Sequence, residues 1–182
     1  MKKTIYYLTG MRGRLASGLG QAMLSRGFEV TGRELIGDFK DLGFQDQIET
    51  VADDLRTHFW SEDALVIANS FGAYLFLHAQ TLMAPYVGRA VLLSPIVGEF
   101  ANEDAMMNFI PPRSELLSQM MKQGTFPVPK QCEMHVGAND WQSNPRSVLT
   151  IAELTGMKAT VVPDAGHSLP KSYIAELLDR LM

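Results

Sequence analysis

Cysteine is almost absent from this chain. Its one example, Cys132, excludes an intramolecular disulfide and any metal site built from several thiolates. A basic excess is missing too. The 16 Lys and Arg stand against 20 Asp and Glu, a net charge of −4, so the charge balance gives no reason to expect nucleic acid as a partner. No apolar run is long enough to cross a membrane, and no repeat, low-complexity tract, charged tail or linker divides the sequence. The opening Met1–Leu8 carries two lysines and then a short apolar run that stops before Gly10. That run is too short for a signal-peptide core and reads as a first strand, so a cytoplasmic location is expected. No histidine pair has the spacing of metal ligands, and neither metal nor cofactor is expected. What is present is 182 residues, 46% of them hydrophobic, with a mean hydropathy near zero. That suits one domain over residues 1–182 with a proper core. The oligomeric state is not legible.

Strand-like and helix-like segments alternate. Strands are predicted at Thr4–Thr9, Phe28–Glu34, Ala64–Asn69, Arg89–Pro95, Cys132–Val136 and Lys158–Val162. Helices are predicted at Arg14–Arg26, Phe44–Phe59, Phe71–Leu82, Ser114–Lys122, Pro145–Thr155 and Ser172–Met182. Most of the strands are apolar throughout instead of alternating. Such strands belong to a parallel sheet covered on both faces, an α/β three-layer sandwich. Ligands in these folds sit at the C-terminal ends of the strands. The residues to inspect are therefore Gly10-Met11-Arg12, Asn69-Ser70-Phe71, Ser94-Pro95, Gly137-Ala138-Asn139-Asp140 and Pro163-Asp164-Ala165-Gly166-His167.

The most informative stretch is Ala64–Leu75. An apolar strand stops at Asn69, Ser70 follows, and a helix pattern begins at once. Ala68 and Gly72 flank the serine two positions to either side, where strand and helix backbones come close. A serine on a sharp strand-to-helix turn is the layout of a nucleophile elbow, here with alanine in place of the first glycine. The same serine could equally serve as an N-cap, its hydroxyl meeting a free backbone N–H.

The strand ends supply partners for it. Ser70, Asp140 and His167 occur in the order Ser, acid, His. A serine hydroxyl needs a base to take its proton; a neutral imidazole can do so, and a carboxylate orients that imidazole. Asp140 lies in Gly137-Ala138-Asn139-Asp140, and His167 in Gly166-His167-Ser168-Leu169-Pro170. With these motifs, each after a predicted strand, the chain resembles the α/β-hydrolase superfamily over nearly its whole length. The resemblance implies a compact version of that fold, with six strands in the order 2-1-3-4-5-6. It implies a serine hydrolase, carboxylesterase-like, that cleaves a small carboxylic ester, thioester or amide through an acyl-enzyme on Ser70. Other readings stand beside it. Asp140 fits an Asx turn, Asp164 and Glu99 are rival acids, and His167 could cap the last helix. His58 reads as solvated, His78 as packed within its helix, and His135 as a core or supporting residue. Cys132 reads as a small apolar filler.

The resemblance also places an oxyanion hole at the backbone N–H groups of Phe71 and Met11, with Arg12 as a less favoured second donor. The same loop, Thr9–Ala16, looks a little like a dinucleotide-binding turn, with Glu34 or Asp38 as the ribose acid. An oxidoreductase is therefore an alternative, although the full three-glycine spacing is absent and Tyr74 is followed at the dehydrogenase spacing by His78, not lysine. A non-catalytic binding protein on the same fold is another. Residues 96–131 occupy the place of a small cap. Met107 and Phe109 within it, with Arg12 and Trp141, are the candidate pocket residues. Leu116, Leu117, Met120 and Met121 read instead as the packed face of a helix.

Overall fold

The computed structural model describes residues 2–182. In chain order the elements are β1 (Thr4–Met11), α1 (Leu19–Leu24), β2 (Glu29–Leu35), α2 (Gly37–Asp41), α3 (Phe44–His58), β3 (Leu65–Asn69), α4 (Phe71–Gln80) and β4 (Arg89–Leu93). The hairpin strands β5 (Phe100–Asn102) and β6 (Met107–Phe109) follow, then α5 (Leu116–Lys122), β7 (Gln131–Gly137), α6 (Pro145–Thr155), β8 (Lys158–Val162) and α7 (Lys171–Asp179). The main sheet runs β2-β1-β3-β4-β7-β8, and every pair in it is parallel. Counting its own strands alone, that is the expected 2-1-3-4-5-6 order.

The period of two along each strand divides the core. Tyr6, Leu8, Val66, Ala68, Leu92, Met134 and Val136 face one layer, where they meet α3, α4, α5 and α6. Ile5, Tyr7, Leu65, Ile67, Val91 and Leu93 face the other, where they meet Met23 of α1 and Leu177 and Leu178 of α7. Helix α4 is buried along its whole length, which explains why its sequence is apolar on every side. It can lie so near the sheet because position 72 has no side chain. A Cβ on Gly72 would stand 2.4 Å from the carbonyl oxygen of Leu8 and 2.5 Å from that of Thr9.

Three local expectations need correction. The helix expected over Arg14–Arg26 shrinks to Leu19–Leu24, because the backbone leaves helical angles at Gly18 (φ 53°, ψ −118°) and the preceding turn folds back so closely that a Cβ on Gly20 would stand 1.9 Å from Leu15 O. The short α2 and the β5–β6 hairpin were not anticipated; β5 and β6 are too brief to leave a periodic signature. The last helix begins at Lys171 and closes at Asp179. The cap-like segment is thus a hairpin plus α5, held down by Leu117 and Met121, which are buried, and by Met120. Among the described residues, no helix is long and apolar enough to cross a membrane.

Candidate active site

Ser70 ends β3 and precedes the first residue of α4. Its backbone is held at φ 54°, a left-handed conformation costly for any residue with a Cβ. The surroundings enforce it. The Ser70 N–H donates to Leu93 O (2.9 Å), and Ser70 O accepts from Ile96 N–H (3.2 Å) and Ala73 N–H (3.1 Å). The hydroxyl does not cap the helix. It lies 2.8 Å from His167 Nε2 instead. Position and chemistry therefore separate here: the residue occupies the N-cap place, while its side chain is turned to the imidazole.

His167 sits on the loop after β8. Its Nδ1 is 2.9 Å from Asp140 Oδ2 and 3.1 Å from Oδ1. Both ring nitrogens are thus engaged, one by the acid and one by the serine. With Asp140 ionised, Nδ1 carries the proton and Nε2 is left as the acceptor facing Ser70. Neither rival acid bonds to the ring: Asp164 is exposed at φ 56°, and exposed Glu99 lines a cleft between α5 and α6.

Asp140 is 1% exposed, at the end of the turn that follows β7. Its Oδ1 also accepts from the backbone N–H of Gln142 (2.9 Å) and of Ser143 (3.0 Å). The Asx-turn and acid readings are therefore both true of one residue, and the turn aims the carboxylate. Burial by itself would raise its pKa. The hydrogen bonds from His167 and the Ser143 backbone, with the charge of His167, outweigh burial and hold it below the ordinary carboxylate value. The two loops are tied together by Ala138 N–H to Val162 O (2.9 Å) and Asn139 N–H to Ala165 O (2.8 Å).

The loop after β1 lies against the elbow. A Cβ on Gly10 would stand 3.2 Å from Ser70 Cβ and 3.2 Å from Asn69 Nδ2, so Met11 follows a residue in contact with the serine. Phe71, as the first residue of α4, has no intrahelical acceptor for its N–H. Arg12 donates its own N–H to Leu35 O (3.2 Å), which removes it as the alternative donor beside Met11. Its side chain is exposed, on a backbone at φ 62°. The loop lacks what a dinucleotide turn requires. Helix α1 starts only at Leu19, and the Glu34 carboxylate is occupied by the Leu15 N–H.

Aromatic rings lead outward from the serine's neighbour. Phe71 meets Phe109 edge to face at 6.2 Å, Phe109 meets Phe100 at 5.0 Å, and Phe100 meets Trp141 at 5.7 Å. The hairpin thus carries Phe109 to the elbow. Met107, two residues earlier on β6, lies on the same face of the hairpin and is half exposed. Two surface clefts of about 410 and 500 Å³ are lined by other residues, neither by Ser70 nor by His167. Among the described residues no group of His, Cys, Asp and Glu could hold a metal ion.

Sequence reasoning missed Ser94. It is buried, its hydroxyl donates to the carbonyl of His167 (2.7 Å), and its N–H donates to His135 O (2.7 Å). The only signal was its place at a strand end. The other histidines lie outside the cluster. His58 is exposed, and His135 is buried with Nδ1 2.7 Å from the Tyr173 hydroxyl. Cys132 is buried, and burial followed by the nearby Glu133 pushes its thiol up to about 12.

No family model matches the sequence, and no curated protein matches it. Solved structures do match. Alpha/beta hydrolase domain-containing protein 10 from mouse superposes with a TM-score of 0.69 at 13% identity, over 98% of this chain and 87% of that one. The ydeN gene product from B. subtilis gives 0.67 at 14% identity, over 99% and 98%. A monoacylglycerol lipase from Paleococcus ferrophilus gives 0.64 at 12% identity, over 98% and 93%. What this chain shares with them is the α/β-hydrolase fold.

Proposed function

We propose that this chain, built on the α/β-hydrolase fold, is a serine hydrolase acting on a small carboxylic ester or thioester. One observation carries the reading: Ser70 Oγ, the His167 ring and the buried Asp140 carboxylate form a continuous line of contacts of 2.8 and 2.9 Å. The serine is only partly covered, so a substrate can reach it.

The steps follow from that line. Ser70 Oγ attacks the carbonyl carbon while its proton passes to His167 Nε2. The carbonyl electron pair moves onto oxygen, which the N–H groups of Met11 and Phe71 receive at the positive end of α4. As the tetrahedral species collapses, the bond to the leaving oxygen or sulfur breaks, and Nε2 returns the proton to that atom. Water then gives a proton to Nε2 and attacks the acyl-enzyme. Release of the acid restores the Ser70 hydroxyl. Asp140 remains a carboxylate throughout, holding Nδ1–H and stabilising the imidazolium. Phe109, Trp141 and Met107 form an apolar shelf for the acyl or alcohol group, with Arg12 at its polar edge. The open shelf and the short hairpin favour a small substrate.

A panel of p-nitrophenyl esters and thioesters of rising chain length tests the reading, with Ser70→Ala as control. Turnover of short members that vanishes in Ser70→Ala is expected. Turnover that survives the substitution, or none across the panel, sinks it.

A further inference from the structure

We propose that Ser94 is a positioning residue whose hydroxyl holds the carbonyl of His167 and so places the imidazole on Ser70. The inference rests on the hydrolase reading and adds a residue to it.

The segment from Leu93 to Ile96 grips the nucleophile and the base at once. Leu93 O accepts the Ser70 N–H (2.9 Å), and the Ile96 N–H donates to Ser70 O (3.2 Å). Between them, Ser94 Oγ donates to His167 O (2.7 Å), across 73 residues of sequence. The Ser94 N–H donates in turn to His135 O (2.7 Å), which fixes the segment to β7. One short bracket therefore sets the backbone of the serine against the backbone of the histidine. The base loop is anchored on either side of the histidine, by buried Ala165, whose carbonyl accepts from Asn139 N–H (2.8 Å), and by Leu169 packed on the core, while Ser94 holds the carbonyl of residue 167 itself.

The backbone of Ser94 makes the same point. Its φ is 43°, in the region where glycine is free and a residue with a Cβ is strained. Glycine would satisfy the turn with less strain but would leave the His167 carbonyl without its donor. The side chain at this position is kept against the conformational preference of the backbone, and its one hydrogen bond goes to the base loop.

The consequence is separable from stability. Ser94→Gly removes the hydroxyl and relieves the strain together; Ser94→Ala removes the hydroxyl and keeps the strain. If Ser94 were merely structural, activity would follow stability and the glycine variant would do better. If it positions the base, both variants lose turnover by a similar factor, whatever their melting temperatures. Small displacements of a catalytic group are enough to lower rates by about 100-fold.

The experiment is steady-state kinetics on the best p-nitrophenyl ester, together with thermal melts and NMR of the imidazole resonances. In Ser94→Gly, kcat is expected to fall about 10- to 100-fold, with KM changed less than about threefold. Its melt should stay within a few degrees of wild type, and the His167 ring resonances should broaden or shift while those of exposed His58 do not. A glycine variant with wild-type kcat overturns the proposal. So does a loss of kcat that appears only in the alanine variant and tracks its melting temperature. A wild type that hydrolyses nothing defeats the hydrolase reading; the NMR arm then judges the tether alone, and unchanged His167 resonances in Ser94→Gly overturn it.

Discussion

His78, inside α4, and His167, on the rim of the sheet, show what the same side chain becomes in two settings. His78 is fully buried, and neither ring nitrogen has a hydrogen-bond partner among the described residues. Its neighbours are the rings of Tyr74 at 4.3 Å and Phe44 at 5.1 Å. Burial, and then the charge of Arg113, lower its pKa to about 4. It is a neutral packing group near pH 7, and its unpaired N–H costs about 1–3 kcal/mol. His167 has a partner on each nitrogen and is partly open to solvent. The difference lies in what the surrounding strands deliver. α4 offers His78 only carbon, while the ends of β3 and β7 offer His167 a hydroxyl and a carboxylate.

The contrast can be broken most severely from the rim. Asp140→Asn leaves a neutral amide beside Nδ1 and upsets the tautomer, so ester turnover is expected to fall by about 10³- to 10⁴-fold. His167→Ala should lose at least as much in the same assay. His78→Leu should show no comparable loss. A Leu variant as dead as the His167 variant would mean the two settings had been assigned the wrong way round.

A smaller effect sharpens the comparison from the other side, in stability against pH. The folded-state pKa of His78 lies below its ordinary value of 6.5. The unfolded chain therefore takes up the proton first as pH falls. The stabilisation is full above about 6.5 and is lost as pH falls through that value toward 4. The shift corresponds to about 3 kcal/mol at most. Urea unfolding across this window should show wild type losing stability to acid, and His78→Leu should flatten that part of the curve. Identical acid slopes in the two proteins would show that burial of His78 is not responsible.

The smallest effect concerns the shelf. Phe109→Ala removes the ring that bridges the hairpin to Phe71 and should lower kcat/KM for the longer apolar acyl groups by about tenfold. The melting temperature should change little, since Phe109 is only partly buried. An equal loss for acetate and for longer esters would place the acyl group elsewhere.

Much of this was legible in the sequence because parallel strands end where ligands bind. Reading only the strand ends was enough to pick Ser70, Asp140 and His167 as candidates, and the structure brings those three side chains together. The continuous apolar runs likewise gave the sheet its class, while its strand order came from the resemblance to the α/β-hydrolase superfamily. What stayed hidden was non-local or short. Ser94 stood among the strand-end residues but received no role, since nothing near it in sequence reveals a bond to residue 167. The β5–β6 strands are three residues each, too few for a period to emerge. The first helix is shorter than its pattern because Gly18 breaks the helical backbone and the turn before it packs onto Gly20, a close approach that no periodicity reveals.

The central claim is that Ser70 is activated by its neighbours, and the most direct measurement is covalent labelling by a fluorophosphonate, with the modified residue located by mass spectrometry. Labelling confined to Ser70, abolished by urea and slowed at least a thousandfold in His167→Ala, is the expected result, in keeping with the loss of a catalytic base. A folded wild type that stays unlabelled, or labels at the same rate without His167, would contradict it.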